Sequence, residues 1–498
     1  MNPLPMRGFL PVAVAVALAA SAGPAPAQPI PPTPPRDQWF AENDTGHWSK
    51  GNYVRTDKKC LGLPKNRQVA CSLQEFRKRP FVVIAFVDTG INPYQKDFRA
   101  PDFVHHPSKY IAGYPKDART FKAAFDAADR KGYEAARKAD ELDWARVEPA
   151  KLYWFPGTRI IGGISIGPGG TSAAGFPERR IIDDQGHGTG VASVAAGRFF
   201  GSNPNALIVM VESLGAAPER WANSQEWIDI VSNSWGNLAN LPLGDPESTR
   251  EATRRGQSVL FSAGNGATNT NSSDIFPDGL DPCKCKTPDS DQSVLDPWSG
   301  PSWQITVGAA SPINGQAHWW HSIPVDVSSF GSKWRAAGAF GVEAKIDEDN
   351  VQTRGTSCAA PTTAGVLSSL IQRAREEFGD TSEGQAKGAV VASARKGTRL
   401  PPEGPLSDGK LTRLEAEEVL FKSAFPVPAD PEKITWDYAV RPTTPAYYVY
   451  QGYGVVDRTA KDLATRVLLG KEALPDRAEV DAWITAMDTV RNAFWGEP

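Results

Sequence analysis

The chain has 498 residues, of which 40% are hydrophobic, and its formal net charge is −3. A chain of this length and composition can bury a large core and divide into several domains. A charge this close to zero argues against nucleic acid or an anionic membrane surface as the partner.

The N-terminus has the layout of a secretory signal peptide. Arg7 precedes a short apolar run, and the small residues Ala25-Pro26-Ala27 suit cleavage after Ala27. The apolar run is short for a membrane span, and no later segment is long and apolar enough to cross a bilayer. Residues 1–27 are therefore expected to be removed, and the mature protein is predicted to be secreted, outside the cell or into the periplasm.

Residues 28–79 are predicted to form an N-terminal extension that begins with a proline-rich linker. Export makes disulfide bonds chemically accessible, and an odd number of cysteines leaves at least one outside any bridge within a monomer. We expect disulfides of unknown connectivity among these cysteines. The five are Cys60, Cys71, Cys283, Cys285 and Cys358.

The first strong structural signal is the apolar run FVVIAFVDTG, which begins at Phe81 and contains Asp88 near its end. This pattern indicates a strand buried on both faces of a parallel sheet, with its polar residue at the carboxyl end, where open α/β sheets bind ligands. Similar runs follow: TRIIGGISIG, NALIVMVESL, IDIVSNSWG, SVLFSAGNG and WQITVGAAS. Because helical segments alternate with them, the sequence predicts an α/β fold with a mainly parallel central sheet flanked by helices.

Two segments interrupt this alternation. Residues 100–158 are predicted to be a partly helical surface insertion, because they are rich in charged residues and alanine. An aspartate-rich loop lies between the last two strand-like runs, and its spacing matches no specific calcium motif. The sequence therefore allows structural calcium without indicating it, and no cofactor is expected for catalysis. The aspartates are Asp274, Asp278, Asp281, Asp289, Asp291 and Asp296.

Three residues that can form a catalytic triad lie at the ends of predicted elements. Asp88 ends a buried strand, and His187 opens a helix in DDQGHGTGVAS. Ser357 opens another helix in TRGTSCAAPTTAG, where the small residues indicate that something approaches this backbone closely. Serine is a weak nucleophile at neutral pH and needs a base, which a histidine oriented by an aspartate supplies.

Several motifs, in this order, resemble those of the subtilisin-like serine proteases, or subtilases. They are VDTGI, GHGTGVAS, SNSWGN, SAGNG and GTSCAAP, followed by GYGVVD. The resemblance covers roughly residues 80–470, and it leaves residues 471–498 as a C-terminal helical tail. It implies the three-layer subtilisin-like fold and peptide-bond hydrolysis, so the expected partner is a polypeptide substrate.

The resemblance also implies a role for each site residue. Ser357 would be the nucleophile, His187 the general base and acid, and Asp88 the residue that orients the imidazole. Asn265 would donate a hydrogen bond to the oxyanion, beside the Ser357 backbone N–H at its helix N-terminus. An extended edge and one wall of a specificity pocket would bind the substrate. The edge is Ser234, Trp235 and Gly236, and the wall is Ser262, Ala263 and Gly264.

Two residues of the serine motif carry further expectations. Cys358 stands where the family usually has methionine, and we expect it to be a largely buried thiol. Pro361 is expected in the first turn of the helix, where its missing N–H costs little.

Three functions fit these motifs to different degrees. A secreted endopeptidase is favoured. A transamidase, which passes the acyl group to an amine instead of water, has the same motifs. A non-catalytic peptide-binding protein is disfavoured, because all four catalytic positions keep the required residue types. Substrate sequence preference and oligomeric state cannot be read from the sequence.

Overall fold

The structure is a computed structural model, and all residues it describes belong to one unit, Thr33–Pro498. The predicted signal peptide (1–27), nearly all of the extension at 28–79 and the aspartate-rich loop lie outside the described residues. The described ranges are 80–100, 105–122, 146–166, 181–183, 185–235, 245–264, 300–310, 325–331, 334–336, 351–353, 355–379, 390–394, 405–426 and 451–496, with the single residues 64, 67, 103, 403 and 498.

A nine-stranded sheet forms the centre of the described part of the chain. Its strands are β1 (Val83–Asp88), β2 (Arg119–Thr120), β3 (Tyr153–Trp154), β4 (Ile160–Ser165), β5 (Leu207–Glu212), β6 (Ile230–Asn233), β7 (Ser258–Ser262), β8 (Ile305–Ala310) and β9 (Val327–Phe330). They lie in the order β2-β3-β4-β5-β1-β6-β7-β8-β9, and every neighbouring pair is parallel except β3 with β4. The predicted mainly parallel sheet is confirmed.

In the described ranges, four shorter strands form two separate antiparallel pairs. These are β10 (Trp334–Ala336) with β11 (Val351–Thr353), and β12 (Val390–Ser393) with β13 (Lys410–Thr412).

Helices cover both faces of the sheet. Among the residues that the structure describes, the α-helices are α1 (His187–Ala196), α2 (Ala216–Ser224), α3 (Pro246–Arg254), α4 (Thr356–Glu377), α5 (Arg413–Lys422), α6 (Arg458–Leu468) and α7 (Ala478–Trp495). On β1, Ile84 and Phe86 point to the face that packs with α1 and α4. Val83 and Ala85 point to the opposite face, with α2 and α3. Burial on both faces explains why the strand is a continuous apolar run.

A buried ion pair fixes the C-terminal part of α4 against the sheet. Arg375 donates to Asp229 Oδ1 over 2.6 Å, and both side chains are less than 5% exposed. Asp229 Oδ2 also accepts the N–H of Val83 at 2.9 Å. The start of β1 and the end of α4 are therefore held together, which places the other end of α4 near the carboxyl edge of the sheet.

The sequence predicted that residues 100–158 form a surface insertion. The structure shows instead that part of this segment belongs to the sheet and to the core. Its strands β2 and β3 extend the sheet, and Phe103 and Tyr114 are buried in the core on the α2 side. These aromatic side chains are interspersed among charged residues, so the charge-rich composition concealed them. Most of the predicted helical part, residues 123–145, lies outside the described residues.

The C-terminal segment packs on the sheet through α7. Arg491 of α7 donates to Asp326 Oδ1 at 2.8 Å, just before β9, and the Arg491 side chain is only 3% exposed. Within the described ranges, no helix is both long enough and apolar enough to cross a membrane.

Candidate active site

Asp88 and His187 are in direct contact at the carboxyl edge of the sheet. Asp88 is the last residue of β1 and is only 1% exposed, whereas His187 is the first residue of α1. Asp88 Oδ1 lies 2.7 Å from His187 Nδ1 and accepts the backbone N–H of Thr89 at 2.8 Å. An Nδ1–H donated to a carboxylate leaves Nε2 with its lone pair, so the imidazole can act as a base.

The backbone after β1 runs beside the segment before α1, which brings together residues 99 positions apart. Ile91 N–H donates to the carbonyl oxygen of Ile181 at 2.8 Å. Gly90 has a φ of +122°, and a Cβ there would lie 2.7 Å from the same Ile181 oxygen. A side chain at this position would force the two segments apart.

Gly188 allows a second close approach. A Cβ on Gly188 would lie 2.1 Å from the Gly90 carbonyl oxygen and 3.2 Å from Asp88 Oδ1. The glycines of the VDTGI and GHGTG motifs therefore face each other, and both are needed for the aspartate and the histidine to meet.

The charge of Asp88 raises the pKa of His187 above its ordinary value. Burial acts in the opposite direction, and the hydrogen bond to Asp88 and the charge of Asp183 add to the increase. The His187 side chain is nevertheless 40% exposed, so a substrate can reach the imidazole.

Ser357 is the second residue of α4, directly after Gly355 and Thr356. Gly355 has a φ of +101°, which sharply redirects the chain into the helix. The Ser357 hydroxyl donates to the carbonyl oxygen of Ser234 at 3.1 Å. Because a hydroxyl has a single hydrogen, Ser357 does not donate to His187 in this conformation.

Small residues allow α4 and α1 to pack closely beneath the site. A Cβ on Gly365 would lie 2.4 Å from the carbonyl oxygen of Ala195 in α1. Ala359, Ala360 and Ala364 are fully buried in the same core. This contact explains the small-residue run after the serine.

The predicted substrate-binding residues follow two neighbouring strands. Ser234 and Trp235 come directly after β6, and both are buried. Ser262 ends β7, the next strand in the sheet, and Ala263 N–H donates to the carbonyl oxygen of Val307 at 3.0 Å. Gly264 has a φ of +85°.

Two predicted site residues, Asn265 and Gly236, lie outside the described residues. Their roles remain predictions. The structure thus brings Asp88 to His187 and Ser357 to Ser234.

Sequence reasoning missed Asp183, which is fully buried four residues before His187. Its Oδ1 accepts the N–H of Gly186 at 2.7 Å and its Oδ2 accepts that of Thr189 at 2.8 Å. Burial raises the pKa of Asp183, and these hydrogen bonds oppose that effect. The sequence feature that could have pointed to Asp183 is the pair of acidic residues at the start of DDQGHGTG.

The position of Pro361 differs from the prediction. Helix α4 begins at Thr356, so Pro361 is its sixth residue and lies in the second turn. There the missing N–H removes a helical hydrogen bond. The carbonyl oxygen four positions earlier, that of Ser357, therefore needs another donor.

Cys358 is a thiol, and its side chain is completely buried, as predicted. It packs with apolar residues of α1 and the strands β8 to β10, among them Val194, Ala310 and Phe330. The other four cysteines lie outside the described residues.

Comparison with known proteins gives a family match and weaker structural similarities. Residues 81–414 match the model described as the subtilase family. No curated protein matches the chain. Among solved structures, the epidermin leader peptide processing serine protease (EpiP) of Staphylococcus aureus is 13% identical, with 78% of this chain and 76% of that chain covered and a TM-score of 0.38. A cold-adapted subtilisin-like serine proteinase is 17% identical, with 70% and 85% covered and a TM-score of 0.34.

Proposed function

Because this chain belongs to the subtilase family, we propose that it is a secreted serine endopeptidase that hydrolyses peptide bonds in polypeptides. The observation that carries the proposal is the 2.7 Å contact between Asp88 and His187, at the edge of the sheet where α4 presents Ser357. Secretion is inferred from the first 27 residues of the sequence.

His187 acts as the base in this mechanism. Nε2 takes the hydroxyl proton of Ser357 as the Ser357 oxygen attacks the peptide carbonyl carbon, and it then delivers this proton to the amine that leaves. Water next attacks the acyl group on Ser357 and gives its proton to Nε2, which returns it to the Ser357 oxygen as the acid product leaves. Asp88 keeps Nδ1 protonated and stabilises the imidazolium cation that forms. The Ser357 hydroxyl must first rotate from the Ser234 carbonyl oxygen toward His187.

The oxyanion of the tetrahedral intermediate needs hydrogen-bond donors. Ser357 lies in the first turn of α4, where backbone N–H groups have no helical acceptor, and its own N–H is one donor. Asn265 is the proposed second donor, through its side chain. Removing the corresponding asparagine donor from subtilisin costs about a hundredfold to a thousandfold in turnover.

The substrate is proposed to bind as an extended strand. Main-chain groups of residues 234–236 pair with its backbone, and residues 262–264 form one wall of the pocket for a side chain. Strand pairing of this kind gives affinity through main-chain hydrogen bonds, and the side-chain pockets supply the sequence preference.

Cleavage products from a mixed peptide library test this function. The mature protein should produce internal cleavages, and each pair of fragments should together contain one added water. A Ser357→Ala variant, prepared in the same way, is the control for contaminating proteases. Products joined to an added amine would indicate a transamidase, and an intact library would support a non-catalytic peptide-binding protein.

A further inference from the structure

Pro361 leaves the carbonyl oxygen of the nucleophile without its helical donor. In an α-helix the N–H of each residue bonds to the carbonyl oxygen four residues earlier. For Pro361 that carbonyl belongs to Ser357, and proline has no N–H to give. The proline ring also crowds this carbonyl and turns it away from the helix.

Another serine supplies the missing donor. The Ser234 hydroxyl donates to the carbonyl oxygen of Ser357 at 3.0 Å. The Ser357 hydroxyl donates in return to the carbonyl oxygen of Ser234 at 3.1 Å. Both residues are at most 9% exposed, so water is a poor substitute for either donor.

We propose that the Ser234 side chain is a positioning residue, which replaces the helical donor absent at Pro361 and so holds the backbone of the nucleophile. The inference rests on the proposed function, and it assigns the side chain a role distinct from the substrate pairing expected of the main chain. The carbonyl carbon is bonded to the Cα of Ser357, which also carries Cβ and Oγ. Holding the carbonyl group therefore limits how far this Cα can move, and with it the position of Oγ relative to His187.

The expected cost of losing this bond is mainly catalytic. Leaving a buried carbonyl oxygen without a donor is destabilising, so we expect the backbone of Ser357 to shift toward another donor. A shift of about 1 Å in a reacting group costs about a hundredfold in rate. We expect a smaller displacement, and therefore about a tenfold loss of kcat in Ser234→Ala. KM should stay unchanged, because the substrate-binding main chain of Ser234 remains.

Pro361 provides the decisive comparison. Pro361→Ala restores an N–H that can bond to the Ser357 carbonyl oxygen within the helix. In that background Ser234→Ala should cost much less kcat than it does beside proline. The two substitutions are therefore expected to be non-additive, as for residues that share one partner.

Ser232 is the matched control. It lies two residues earlier, in β6, is 1% exposed, and its hydroxyl has no hydrogen-bond partner in the described part of the chain. Ser232→Ala should leave kcat unchanged. Ser234→Thr, which keeps the hydroxyl, should recover most of the activity lost in Ser234→Ala.

The test measures kcat, KM and the thermal midpoint for the four members of the Ser234 and Pro361 cycle. If Ser234→Ala unfolds the protein, Ser234→Cys replaces it, since a thiol leaves no cavity at this position but donates only weakly. Equal losses of kcat with and without the Pro361→Ala substitution would overturn the inference and leave the proposed function intact. An inactive but folded wild-type protein would overturn the proposed function instead. The thermal midpoints of the same four proteins would then still test the Ser234–Ser357 hydrogen bond. Non-additive changes on Ser234→Ala and Pro361→Ala would support the bond's proposed role, and additive changes would overturn it.

Discussion

Thr89 donates its hydroxyl hydrogen to Asp183 Oδ1 over 2.9 Å. The same hydroxyl oxygen accepts the N–H of Gly188 at 2.9 Å, and the Thr89 N–H donates to Asp88. Thr89 therefore joins two buried carboxylates and the residue after His187. This link aligns the start of α1 with the end of β1, and it brings a second negative charge close to the His187 imidazole.

Asp183→Asn should move the acid limb of the pH–rate profile to lower pH. Every described contact to the Asp183 carboxylate comes from an N–H or O–H donor, which favours the ionised form. Its charge stabilises the imidazolium and raises the pKa of His187. Removing that charge lowers this pKa, so the imidazole stays neutral, and able to act as a base, at lower pH. The pH dependence of kcat/KM and an NMR titration of His187 measure the shift.

Asp97→Asn is the matched control. Asp97 is also a buried carboxylate, and it contacts the C-terminal end of α1, whereas Asp183 contacts the N-terminal end. It accepts the hydroxyl of Ser193 at 2.5 Å and the N–H of Phe199 at 2.6 Å. This substitution should lower stability without moving the His187 titration. An unchanged titration in Asp183→Asn would show that Asp183 acts only on structure.

Gly188→Ala should disable the enzyme, whereas Gly190→Ala should be tolerated. The new Cβ at Gly188 would meet the Gly90 carbonyl oxygen at 2.1 Å, which is backbone and cannot move aside cheaply. Overpacking of this kind costs about 1–3 kcal/mol of stability. At Gly190 the nearest atom would be 3.8 Å away. The thermal midpoint and kcat of both variants test this prediction. Equal losses in Gly188→Ala and Gly190→Ala would contradict the close approach of Gly188 to Gly90.

Glu219→Gln should become increasingly stabilising as the pH rises toward 8. Glu219 is fully buried, and burial raises its pKa from 4.5 to about 8. The folded state therefore holds a proton that the unfolded state loses above its lower pKa, so stability falls as pH rises between these two values. Glutamine removes this dependence and keeps an acceptor for the N–H of Asp245. Urea unfolding at several pH values measures the free energy of unfolding of both proteins. A difference between them that stays constant with pH would refute the prediction.

A bulky mercurial should inhibit the enzyme slowly, through Cys358. The thiol is completely buried beside the nucleophile, so reaction requires local opening, and the adduct would displace Ser357. Cys358→Ala should retain activity after the same treatment. Inhibition of Cys358→Ala at the same rate would place the reactive group elsewhere.

Much of the fold could be predicted because its parallel strands are buried on both faces and form uninterrupted apolar runs. Asp88 and His187 could be predicted because they lie at element ends, beside glycines that allow close approach. The link through Thr89 could not, because it depends on where two loops meet in space. The role of the Ser234 hydroxyl was hidden for a similar reason: it follows from the start of α4, which places Pro361 in the second turn. The buried aromatic residues of 100–158 were concealed by their charged neighbours.

Covalent labelling by a fluorophosphonate probe tests the central claim most directly. The reagent reacts with serine when a base removes the hydroxyl proton and donors hold the oxyanion, so labelling reports on His187 as well as Ser357. We predict one adduct, on Ser357, which is lost together with proteolysis in Ser357→Ala. His187→Ala should nearly match that loss, because the triad acts as a unit. A folded protein that resists the probe, and whose Ser357→Ala variant still cleaves protein substrates, would contradict the account.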